Sequence, residues 1–125
     1  MESKLNVLVI DHNADLRDSL RQLLERLGCA VATAASAETG KEELLRRRYD
    51  AVFASLCLDR LGARQMAKWT RENAAGCTKF FVTTGWQGEL EPDLLRFNGI
   101  HDVLRRPFSL SVVRDAIQEH LGQGT

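Results

Sequence analysis

The residues of this chain best placed to do chemistry stand where short apolar runs end. Asp11-His12 follows the run Leu5 to Ile10, Ser55 lies in the run Ala51 to Leu56, Thr84 closes the β-rich stretch from Lys79, and Arg106 comes just after Asp102-Val103-Leu104. A carboxylate, an imidazole, two hydroxyls and a guanidinium at strand ends invite three readings: a hydrolytic relay, a metal site or an anion site. A Ser55–His12–Asp11 relay is the weakest, because Asp11 and His12 are neighbours at a strand end and point to opposite sides, and no Gly-x-Ser-x-Gly elbow surrounds Ser55. The plain alternative is a set of polar side chains filling a pocket, so no catalytic residue is assigned. Arg106 has two readings, a fork turned inward onto Asp11 or half of a solvated Arg105-Arg106 pair.

The remaining reactive side chains carry less. Cys29, Cys57 and Cys77 are an odd number without Cys-x-x-Cys or Cys/His ligand spacing, which argues against a disulfide framework and a zinc site. Trp86, in the Gly85-Trp86-Gln87-Gly88 loop, is either a partner anchor or a cover for a helix or the pocket. Trp69 sits beside Ala67 and Thr70 and reads as helix-edge packing.

Composition limits what surrounds these residues. With 125 residues, 44% of them apolar and 27% charged, the chain fits one domain over 1–125 with a core spanning about 4–121. Lys plus Arg equals Asp plus Glu at 17 each, so no overall field attracts nucleic acid or anionic lipid, and neither partner is expected. No apolar run approaches membrane-spanning length and the short one near Met1 is too brief for a signal-peptide core, which gives a cytoplasmic expectation.

The positioning elements follow from periodicity. Leu5 to Ile10, Ala30 to Ala34, Ala51 to Leu56, Lys79 to Thr84 and Asp102 to Leu104 read as strands, most of them continuous apolar runs as in a sheet covered on both faces. Asn13 caps a helix carrying Leu16, Leu20, Leu23, Leu24 and Leu27, with Gly28 at its exit. Ser36 caps a second helix through about Arg48, Ala63, Met66, Ala67 and Thr70 mark a third reaching Asn73, and Pro92 opens a short fourth with Leu90, Leu94 and Phe97. Ser109 caps a fifth, striped by Leu110, Val113, Ile117 and Leu121. Five strands alternating with five helices give an α/β fold, a flavodoxin-like doubly wound parallel sheet in the order 2-1-3-4-5, with its crevice at the carboxyl ends of strands one and three.

Taken in order, these landmarks resemble the receiver domains of bacterial response regulators along the whole chain. Val9-Ile10-Asp11-His12-Asn13 is similar to the family's apolar run ending in paired acids, and Tyr49-Asp50-Ala51-Val52-Phe53-Ala54-Ser55-Leu56-Cys57-Leu58 to the third strand that ends in the phospho-accepting aspartate. Thr84-Gly85 resembles the small hydroxyl pair after strand four, Gly99-Ile100-His101-Asp102 the turn before strand five, and Arg106-Pro107-Phe108 the Lys-Pro-Phe after it. The resemblance implies a signalling domain whose aspartate takes a phosphoryl group beside Mg²⁺ held by the paired acids.

The departures fall on that chemistry. His12 stands for the second acid, Ser55 for the acceptor, Arg106 for the lysine and Val103 for the aromatic that reports the switch in many relatives; Asp11 and Thr84 alone keep the family's type. Mg²⁺ prefers hard oxygen ligands, usually carboxylates, so the expectation is that Mg²⁺ binding is lost and no cofactor is bound. Asp59 is the one carboxylate just after strand three and could serve as a displaced acceptor, but it comes four residues too late and has the ordinary explanation of an exposed loop residue. The resulting expectation is a non-enzymatic pseudo-receiver that works by protein–protein contact. Its partner would be a histidine kinase, an output domain or another signalling protein, or a second copy meeting the face from about Leu90 to Leu121, with Trp86, Leu95, Val103 and Phe108 as candidate surface residues. The alternatives are phosphotransfer at a non-standard acceptor such as Asp59 and, more weakly, binding of a small anion by Ser55, Thr84 and Arg106.

Overall fold

Continuous apolar runs of four to six residues become the strands of one parallel sheet, as burial on both faces requires. The computed structural model describes residues 4–55, 62–74, 76–85, 99–107 and 109–121. Its elements are β1 (Asn6–Ile10), α1 (Ala14–Arg26), β2 (Ala30–Ala34), α2 (Ala37–Arg46), β3 (Ala51–Ser55), α3 (Gly62–Asn73), β4 (Lys79–Thr84), β5 (Asp102–Arg105) and α4 (Leu110–Leu121). The strands pair in parallel in the order β2-β1-β3-β4-β5. This is the doubly wound, flavodoxin-like topology expected from the sequence, with four helices among the described residues; the helix expected around Leu90 to Phe97 lies outside them.

Alternation along each strand divides the core into two layers. Leu8, Ile10, Val52, Ala54, Phe80 and Val82 face α2 and α3, where Leu44, Tyr49, Ala63, Met66 and Ala67 pack on them. Val7, Val9, Ala51, Phe53 and Phe81 face α1 and α4, meeting Leu20, Leu24, Val113 and Ile117. Phe53 and Phe81 stack at 4.6 Å between ring centroids, tying the two central strands on that side. Trp69 packs at the edge of the α2/α3 layer with the Lys41 ammonium 5.3 Å from its ring centroid, as helix-edge packing predicts.

Local signals set the helix ends. The Asn13 side chain accepts the Leu16 N–H and the Ser36 hydroxyl accepts the Thr39 N–H, each satisfying an otherwise orphaned donor. Gly28 takes φ +89°, the left-handed geometry that closes α1. The second helix ends earlier than the sequence indicates: Arg47 is already extended, with φ −150°, so the three-arginine run leaves the helix after Arg46. One close approach matters for the crevice. A Cβ on Gly40 of α2 would lie 2.5 Å from Ile10 Cδ1, so glycine is what lets α2 settle on the end of β1, one residue before Asp11.

None of the helices among the described residues is long and apolar enough to cross a membrane.

Candidate functional site

The carboxyl ends of β1, β3, β4 and β5 lie side by side because the strands are parallel and in register. Ile10 pairs with Ala54, Ser55 with Thr83, and Thr84 with Arg105, so Asp11, Ser55, Thr83, Thr84 and Arg106 are brought to one edge of the sheet. Asp11, Ser55, Thr83 and Thr84 are all buried. The sequence-derived pocket residues are therefore assembled in space, with one exception. The His12 side chain is 59% exposed, its Nδ1 3.8 Å from Asp11 Oδ1, so it lies on the rim. Alternation after β1 turns Asp11 inward and its neighbour outward.

Asp11 is held from several directions. Its main-chain N–H donates to Ala34 O at 3.1 Å, and its own Oδ1 accepts the Asn13 N–H at 2.9 Å. Its carbonyl accepts from the Arg17 guanidinium at 2.8 Å. Arg106 approaches from just after β5: Nη1 lies 3.9 Å from Asp11 Oδ2 and 3.5 Å from Thr83 Oγ1, with the side chain 24% exposed. At 3.9 Å the pair is a charge contact and not a hydrogen bond. Arg106 is thus turned toward Asp11, through one nitrogen at charge-contact distance and not as a two-pronged fork. The Arg106 N–H donates to Thr84 O at 2.7 Å, and the Arg106-Pro107 peptide bond is cis.

A divalent hard cation needs more than this edge provides. Among the described residues the pocket has one buried carboxylate, already engaged by the Asn13 N–H and facing a fixed guanidinium. Ser55 offers a neutral hydroxyl and His12 an exposed nitrogen, neither of which replaces a carboxylate for Mg²⁺. The residues present do not fit that ion. A negatively charged ligand would meet Arg106, but also the Asp11 carboxylate beside it.

Other expected site residues divide. Val103 is half-buried and packs against the α2/α3 layer, its N–H donating to Asp102 Oδ1 at 2.8 Å. Asp59, Trp86, Leu95 and Phe108 lie outside the described residues, so the displaced-acceptor and partner-surface expectations at those positions have no structural account. Two contributors were not singled out from the sequence. Arg17 sits one turn into α1, where the helix dipole disfavours a cation, and that misfit was its readable signal. The Thr83 hydroxyl lies 3.5 Å from Arg106 Nη1, a detail of strand-end geometry that apolar patterning does not carry.

The sequence model of the family described as response regulator receiver domain matches residues 7–118. The chain is 25% identical over 118 residues to Protein PilG of Pseudomonas aeruginosa, covering 94% of this chain and 87% of that one. Among solved structures, a CheY-like receiver domain from Methylobacillus flagellatus superposes with a TM-score of 0.85 at 21% identity, covering 94% of this chain and 98% of that one. The receiver domain of the sensor histidine kinase PA1611 from P. aeruginosa, which has a magnesium ion coordinated in its active-site cleft, superposes with a TM-score of 0.83 at 22% identity, covering 97% and 100%. At such identities the superpositions speak for the fold alone.

Proposed function

We propose, from the premise that this chain belongs to the response regulator receiver domain family and so to two-component signalling, that it is a pseudo-receiver: a non-enzymatic domain that binds a signalling protein without being phosphorylated. The observation that carries this reading is the charge count at the pocket. Relatives that accept a phosphoryl group keep three acids there and need a divalent cation to offset them, whereas here one carboxylate faces one guanidinium at 3.9 Å. The pocket is neutral without a metal. Ser55 cannot form an acyl phosphate, and His12, turned to the rim, is not placed to activate its hydroxyl.

A receiver without a titratable switch transmits by being present, localised or competed for. The reading therefore places its work in the cytoplasm, with a kinase, an output domain or a second copy as partner, and without cofactor. The face formed by β5 and α4 is the one such domains commonly offer to partners. Val112, 43% exposed in α4, gives that face an apolar contact point.

The test is exposure of the intact protein to acetyl phosphate, and separately to beryllofluoride, with Mg²⁺, read by intact mass and by amide NMR shifts at residues 11, 55 and 84. The expected result is no adduct and no Mg²⁺-dependent shift. A Mg²⁺-dependent phosphoryl adduct, at Asp59 or elsewhere, would overturn the reading. The triple variant His12→Asp, Ser55→Asp, Arg106→Lys supplies the positive arm: it is expected to gain the Mg²⁺-dependent shifts that the natural chain lacks.

A further inference from the structure

The opposite edge of the sheet gathers a second polar cluster. Asp102 begins β5 and His120 lies in the last turn of α4, which runs back along the sheet and returns the chain to the amino end of β5. His120 Nε2 is 3.3 Å from Asp102 Oδ2 and 3.8 Å from Glu119 Oε2. One ligand atom from each of the three residues lies within 4.8 Å of the other two.

We propose that Asp102, Glu119 and His120 form a site for a zinc-type divalent ion, separate from the pocket and independent of the reading given to it. Distance is the first argument. Zinc bonds of about 2.0–2.1 Å in a tetrahedral arrangement place neighbouring donor atoms roughly 3.3–3.4 Å apart. The His120–Asp102 separation of 3.3 Å meets that spacing; Glu119 Oε2 stands at 3.8 Å from His120 and its ligand atom within 4.8 Å of that of Asp102, and a side chain 72% exposed can swing inward to close both gaps.

Donor chemistry is the second argument. One imidazole nitrogen and two carboxylate oxygens are donor types that zinc accepts, the imidazole favouring it over harder cations, and three such donors leave a fourth position for water. Among the described residues His120 is the ion-pair partner of both carboxylates. Support around the ligands is the third. Asp102 Oδ1 accepts the Val103 N–H at 2.8 Å, which aims Oδ2 at the site, and the His120 ring stands edge-on to Phe81 at 5.3 Å between centroids. His101, its ring 6.2 Å from that of His120, is not a fourth ligand through Nδ1, because that nitrogen accepts the Phe80 N–H at 3.0 Å.

An ion there would join the start of β5 to the last turn of α4 and hold that face in one arrangement. The experiment is titration of the reduced full chain with Zn²⁺ alone, by calorimetry and by imidazole ¹⁵N NMR. Saturable one-to-one binding with a shift of His120 Nε2 is expected. Asp102→Asn and His120→Gln, each checked for folding by circular dichroism, should weaken it by at least the roughly 10–100-fold that losing even an outer-shell partner costs. His12→Ala, Cys57→Ser and Cys77→Ser should leave it intact. Absence of saturable binding, or binding that survives both ligand variants in folded protein, overturns the proposal.

Discussion

The two ends of the sheet use the same residue types in different proportion. At the carboxyl end, one buried carboxylate meets a permanent cation, Asp11 with Arg106 at 3.9 Å, and the account closes. At the amino end, two carboxylates surround one imidazole, with separations of 3.3 and 3.8 Å, and negative charge is left over. The difference makes a testable contrast: on the proposals above, an ion goes to the end with a surplus of donor charge and not to the end where the charges are matched.

The comparison is broken most sharply at Asp11. Asp11→Ala removes the acceptor of the Asn13 N–H and the charge opposite Arg106, and is expected to cost about 2 kcal/mol in urea unfolding, because a partly buried guanidinium loses its counter-charge. Asp11→Asn keeps an acceptor and should cost about half as much.

Next comes pH at the amino end. Burial and the hydrogen bond to Glu43, 2.7 Å from the Tyr49 hydroxyl, push the Tyr49 phenol up to about 12. The folded state then keeps a proton that the unfolded chain releases near pH 10, so stability is whole below that pH and falls as pH rises toward about 12. Tyr49→Phe should lessen this fall in alkaline unfolding curves.

Smaller effects sharpen the contrast. Without added metal, His120→Ala is expected to cost about 1 kcal/mol, the worth of a partly exposed imidazole contact with Asp102 and Phe81. His12→Ala should change stability by less than about 0.5 kcal/mol, since an exposed side chain at 3.8 Å from its partner contributes little. A large loss at His12 would mean that the rim belongs to the pocket after all.

Much of the architecture was legible because parallel strands covered on both faces must be written as continuous apolar runs. Val7 to Ile10 and Ala51 to Ala54 could scarcely be anything else. The caps at Asn13 and Ser36 were equally readable, each being a short polar side chain placed just before a periodic run. In the pocket, alternation foretold that Asp11 and His12 would part. What stayed hidden depends on the third dimension. That the Thr83 hydroxyl comes within reach of Arg106 turns on rotation at a strand end. That His120 reaches Asp102, eighteen positions earlier, turns on the path of α4 back along the sheet. No pattern in the intervening residues encodes that meeting, and three-residue ligand spacing could not reveal it.

Gly40 gives the crevice a handle placed outside it. Because the notch it leaves is filled by the δ-methyl of Ile10, with Met66 Cε 3.6 Å from where a Cβ would stand, a single methyl added there would force the tip of Ile10 aside within a closely filled layer. Ile10 stands one residue before Asp11, so the Asn13 amide resonance is where a Gly40→Ala variant is expected to be read. Evolution, or an engineer, could thus retune the electrostatic lock from the far side of α2, leaving every polar residue of the crevice as it is.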